Sequence, residues 1–204
     1  YGILRGTGDI LKKTKNFCYL DHGYLLASKR KFEKGGTTIN NFDGYFRIVE
    51  NDFVGIREGK FNSDRLKILG VEFKDIRKNG DYIILSEPSD YIKKFFCLSN
   101  WIENIQNELK KITDRKIIVH NKQSPIPLKT LMEKAWAFVS YQSTAGFEAM
   151  ISGVPAYFTY ESLKHINPIE NIESSTIDYE LFNNVSYSQW TLKEIYDGAL
   201  IEYL

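Results

Sequence analysis

From residue 81 onward the chain alternates apolar runs with amphipathic stretches. "DYIILSEPS" (81–89) is an apolar run that closes on Ser-Glu-Pro-Ser, the pattern of a buried parallel strand. In "SNWIENIQNELKKI" (99–112), Trp101, Ile102, Ile105, Leu109 and Ile112 share one helical face, with Ser99 or Asn100 as cap. "RKIIVHNK" (115–122) reads as a strand and "PLKTLMEKA" (127–135) as a helix with proline in its first turn. "WAFVSY" (136–141), "STAGFEAMIS" (143–152) and "PAYFTY" (155–160) continue as strand, helix and strand. A tail helix over 191–204 opens on Thr191 with Glu194 three residues on, a capping-box pattern. Such alternation predicts an α/β fold, a Rossmann-like parallel sheet with helices on both faces over 75–204. Its strands are expected at 81–85, 116–120, 136–140 and 155–159, adjacent and parallel.

The first half is less regular. "NFCYLDHGYLL" (16–26) and "GYFRIVEND" (44–52) read as strands, and "GTGDILKKT" (6–14) as a loop entering a helix. "KRKFEKGGTTINNFDG" (29–44) reads as a polar, exposed connection. Charge and turn residues over 62–78 mark a boundary, so residues 1–70 are expected to form a reduced N-terminal α/β region.

Composition adds limits. Hydrophobic residues are 43% of the 204 and aromatics 14%, enough for a packed core. A net charge of +1 exerts no whole-molecule pull on nucleic acid or membrane, and clusters such as Lys12, Lys13 and Lys15 read as solvated surface. Cys18 and Cys97 sit among apolar neighbours, which predicts buried free thiols, and no Cys/His spacing suggests zinc. No apolar run approaches the ~18 residues of a membrane span, and no secretory leader is visible; a cytoplasmic protein is expected.

The densest chemistry lies in "SYQSTAGFEAMISGVPAYF" (140–158). Ligands of open parallel sheets sit beyond the carboxyl ends of the strands. Ser143, Thr144 and Gly146 lie at such an end, where a helix start offers free N–H groups to an anion. Gly146 would let a phosphate approach the backbone, the Ser143 and Thr144 hydroxyls would donate to it, and Glu148 would face a ribose hydroxyl. The plain structural reading is that Ser143 or Thr144 caps a helix and Gly146 eases packing.

The order Gln142, Ser143, Thr144, Gly146, Glu148, Ala149, Gly153, Pro155, with an apolar strand on each side, resembles the nucleotide-sugar-binding domain of GT-B glycosyltransferases. It is most similar to bacterial capsule and lipopolysaccharide transferases and to phage-encoded glycosyltransferase-like proteins. The preceding strand, with His120 and then Lys122 at its end, and the closing tail helix fit the same resemblance, which covers about residues 80–204. It implies a fold like the C-terminal half of GT-B enzymes and a nucleotide-diphosphate sugar as donor. Ser143, Thr144 and Gly146 would hold the diphosphate, Lys122 would neutralise it, and Glu148 would bind the ribose. Residues 1–70 would be the acceptor side, shorter than a usual domain of ~100–150 residues.

Other residues are candidates on their own chemistry. Asp21 and His22 end a strand and fit the base that takes a proton from an acceptor hydroxyl, or an Asp-His-Gly turn. Arg5, with Gly6 and Gly8, lies in a loop suited to a diphosphate; Ser86 and Ser89 reach for the same group or serve as turn residues. Arg47 reads as a polar-face strand residue and His165 as a surface residue. No Asp-x-Asp pair occurs, which fits a transfer without metal, the leaving diphosphate being stabilised by N–H groups and cations. The leading expectation is thus a glycosyltransferase-like protein that needs no cofactor beyond its donor. The acceptor, whether polysaccharide, lipid, protein or modified DNA, is left open. A nucleotide-sugar epimerase and a non-catalytic nucleotide-sugar-binding or assembly module are the alternatives.

Overall fold

A computed structural model of the chain describes residues 13–14, 16–27, 30–32, 38–40, 42–174 and 176–201. The strands are β1 (Cys18–His22), β2 (Arg30–Phe32), β3 (Thr38–Asn40), β4 (Tyr45–Glu50), β5 (Tyr82–Ser86), β6 (Lys116–His120), β7 (Ala135–Ser140), β8 (Ala156–Phe158) and β9 (Gln189–Thr191). The helices are α1 (Asp64–Leu69), α2 (Asp90–Phe95), α3 (Trp101–Ile112), α4 (Leu128–Met132), α5 (Ala145–Ile151), α6 (Leu181–Ser186) and α7 (Leu192–Tyr196). They form two compact units, Tyr1–Val71 with Tyr179–Leu204, and Glu72–Asp178.

The unit Glu72–Asp178 is α/β, a four-stranded parallel sheet flanked by helices. All four strands expected from the apolar runs are present, in the order β6-β5-β7-β8. Alternation along each strand sorts the side chains onto two faces. On one face Ile83, Leu85, Ala137, Val139 and Tyr157 meet Trp101, Ile105 and Leu109 of α3. Those helical positions are four apart, so one stripe of α3 is buried. On the other face Phe158 packs against Phe147 of α5, with ring centroids 5.2 Å apart. Gly153 ends the α5 turn at φ +79°, and the 74–77 segment crosses it: Lys74 N–H donates to the Ile151 carbonyl at 2.9 Å and Arg77 N–H to that of Gly153 at 2.7 Å.

The other unit is built on an antiparallel sheet, β1-β4-β9. Here the expected N-terminal α/β region is corrected in two ways. Its strands pair antiparallel, and the tail belongs with it rather than with the second half, because β9 pairs with β4. Side chains hold that return. The Gln189 carboxamide accepts from Leu25 N–H at 2.8 Å and donates to the Leu25 carbonyl at 3.1 Å, in the manner of a strand partner. Arg65 donates to the Ser186 and Gln189 carbonyls and to Glu194, with its guanidinium 4.0 Å from the Trp190 ring centre. The Thr191/Glu194 capping box forms as expected, but α7 ends at Tyr196. The stretch read as a polar connection contains the β2–β3 antiparallel pair; strands of three residues carry too little periodicity to show in the sequence. Both cysteines, expected buried, are exposed. An apolar local sequence does not decide which side of an element meets solvent. Most of the loop-and-helix reading at 6–14 lies outside the described residues, as does Arg5.

Candidate functional site

Numbered from the first strand of its own unit, the parallel sheet runs 2-1-3-4, so the chain reverses direction across the sheet between β5 and β7. Loops leaving two such strands diverge to opposite faces and open a crevice at their carboxyl ends. Ser86 ends β5, and its register partners are His120 on β6 and Ser140 on β7. Ser86, His120 and Ser140 therefore share one layer and one face of the sheet. Backbone hydrogen bonds fix this edge: Glu87 N–H donates to the His120 carbonyl at 2.8 Å, and Thr159 N–H to that of Ser140 at 3.0 Å.

The polar groups of the edge fall into two sets. One set is paired. Glu87 accepts from Lys93 at 2.7 Å and from the Asn121 carboxamide at 3.0 Å. These bonds, Asn121 first, hold the Glu87 carboxyl below its ordinary range, and the Glu87 carboxylate raises Lys93 in turn. Lys93 also meets Asp90 at 2.9 Å. His120 Nε2 lies 3.0 Å from the Ile126 carbonyl. A carbonyl only accepts, so that nitrogen carries the proton.

The other set is unpaired. The Ser140 hydroxyl and the Gln142 Oε1 are buried without a hydrogen-bond partner. Buried polar atoms are nearly always satisfied, so these two orphans, within three residues at the carboxyl end of β7, are the candidate ligand contacts of this edge. Ser143 and Thr144 follow them. The Ser143 hydroxyl accepts only a 3.3 Å contact from Ala145 N–H, and Thr144, the N-cap of α5, makes no side-chain cap bond. Ser143 thus makes one long contact to the first N–H of α5, and Thr144 makes none.

The remaining expected residues disperse. Gly146 is buried, and a side chain there would strike the Phe158 ring at 2.5 Å. Glycine is present because a helix packs closely on β8; the expectation that it admits a phosphate to the backbone has no support in this geometry. Glu148 and Lys122 are exposed, Glu148 on the first turn of α5 and Lys122 just past β6. Ser89 accepts from Ile92 N–H at 3.4 Å and caps α2. Asp21 and His22 lie in the other unit. The Asp21 carboxylate accepts from Arg47 at 2.8 Å, from the Tyr19 hydroxyl at 3.3 Å and from His22 N–H at 2.8 Å. Arg47, read as an ordinary strand residue, is buried and also donates to the His22 carbonyl at 2.8 Å. The His22 ring stacks on Phe46, and its Nδ1 is buried without a partner.

Sequence reasoning missed Ser140 and Glu87. Both end or follow an apolar run, and a small polar residue closing a buried strand was the available signal. Among the described residues no group of three or more His, Cys, Asp or Glu is arranged to hold a metal, and no helix is long and apolar enough to cross a membrane. No family model matches the chain, and no curated protein matches it in sequence.

Proposed function

We propose that the unit Glu72–Asp178 binds a nucleotide-diphosphate sugar at the β5/β7 crevice and that the protein is glycosyltransferase-like, of GT-B type. The observation that carries the reading is the pair of buried, unpaired groups on Ser140 and Gln142, set where the strand order reverses. The residues after them, Ser143 and Thr144, present hydroxyls to the diphosphate from the β7–α5 turn. Exposed Lys122 is the cation that neutralises it, and Glu148 takes the ribose. In the reaction an acceptor hydroxyl oxygen bonds to the anomeric carbon as the carbon–oxygen bond to the diphosphate breaks. The nucleoside diphosphate leaves with the bonding pair, and a base removes the hydroxyl proton. Of the two candidate bases, His22 keeps an unpaired ring nitrogen, whereas the Asp21 carboxylate is engaged by Arg47.

That engagement favours a second reading, a module that binds the nucleotide sugar without transferring it. Calorimetry against UDP-, GDP- and CMP-sugars, followed by assay of the bound donor for hydrolysis or transfer, separates the two. Binding with turnover supports the transferase, and binding without turnover the module. A Ser143→Ala/Thr144→Ala double variant is expected to weaken donor binding about tenfold, the loss of one or two hydrogen bonds to a charged group. Absence of binding to every donor overturns both readings.

A further inference from the structure

We infer that the β5/β7 crevice seats a hydroxyl-bearing part of the ligand, the sugar, and that Ser140 is the residue that reads it. This rests on the proposal that the unit takes a nucleotide sugar. Ser140 is 0% exposed, and its hydroxyl has no partner. Alanine would fill the position at nearly the same size without leaving a polar group unsatisfied, so the hydroxyl has no evident structural use. Gln142 Oε1, two residues on, is likewise buried and unpaired, and it can only accept. Ser86 stands beside Ser140 in register.

Charge decides which part of the donor fits. Glu87 follows Ser86, and its carboxylate is held ionised by Asn121 and Lys93. The Lys93 charge is already shared between Glu87 and Asp90. Beside Ser86, Lys93 therefore offers a diphosphate no unshared charge, and the Glu87 carboxylate stands next to it. A sugar hydroxyl suits the crevice better: it donates to Gln142 Oε1 and exchanges a hydrogen bond with Ser140. The diphosphate is left to the Ser143–Thr144 turn.

The test is calorimetry on the full chain with UDP-glucose, UDP-N-acetylglucosamine, GDP-mannose and CMP-sialic acid, each against its free nucleotide, UDP, GDP or CMP. Ser140→Ala is expected to bind the preferred nucleotide sugar about tenfold or more weakly, to keep its affinity for the free nucleotide within about twofold, and to melt no lower than wild type. Gln142→Met, close in shape but lacking the acceptor, is expected to show the same split and serves if Ser140→Ala folds poorly. Equal losses for sugar and free nucleotide would assign Ser140 to the phosphates. Unchanged affinities, or a lower melting temperature with unchanged affinities, would make it a structural residue. Either result overturns this inference and leaves donor binding intact. A wild-type protein that binds none of the probes overturns the donor reading together with it.

Discussion

Gly146 and Gly153 sit in the same short sequence element and answer to different constraints. At Gly153 the backbone is left-handed, and a side chain would meet the Asp75 carbonyl oxygen at 2.2 Å, so both conformation and space require glycine. At Gly146 the conformation is helical and only space matters: the Phe158 ring occupies the volume a side chain would need. Gly146→Val is therefore expected to destabilise the Glu72–Asp178 unit by at least about 1–3 kcal/mol, as overpacking does. Urea unfolding followed by tryptophan fluorescence measures this. A valine variant with wild-type stability but weakened donor binding would return Gly146 to the phosphate site.

Among elements, the tail shows how a local signal and a distant one combine. The capping box at Thr191 is local and forms as the residues three apart require. Arg65, on α1, then ties Glu194 into the antiparallel unit at 2.7 Å. Burial alone would raise the Glu194 carboxyl, but the Arg65 guanidinium and the Thr191 N–H and hydroxyl outweigh it and hold the group below its ordinary value. A carboxyl depressed in the folded state stabilises it above its unfolded value, about 4.3 for glutamate, and loses that contribution as pH falls through the folded value. Glu194→Gln is thus expected to cost about 1 kcal/mol at pH 7, a modest figure because solvent reaches the pair. The difference from wild type is expected to shrink as pH falls below about 4. Melting curves at pH 7 and pH 3 check it; a constant difference would mean that Glu194 stabilises by packing rather than by charge.

For the whole molecule the consequence is that the chain's first and last described segments share one unit while its middle forms the other. A fragment covering 72–178 contains a complete parallel sheet and both of its helical covers. It is expected to fold alone and to retain any nucleotide-sugar affinity of the full chain. A chain cut after residue 178 lacks β9, Gln189 and the Arg65 partners, and its antiparallel unit is expected to unfold. Circular dichroism and hydrogen exchange on the two fragments decide this. A 72–178 fragment without native amide protection would show that the parallel unit depends on the other.

The parallel sheet was legible in the sequence because its inner strands, β5 and β7, are buried on both faces. Runs such as "YIILS" and "AWAFVS" are apolar without interruption, and α3 repeats its buried residues every four positions. The capping box was legible because it is a contact within one turn. The candidate site was legible only as a neighbourhood: the residues at the strand ends stood out, but not which of their groups would be paired. That was decided by register, which set Ser140 beside Ser86, by Asn121 and Lys93 closing on Glu87, and by Phe158 filling the space beside Gly146. The tail's place was equally a tertiary matter. The pairing of Gln189 with Leu25 spans 164 residues. No periodicity carries such a contact, because it depends on two distant segments meeting and not on the pattern of either one.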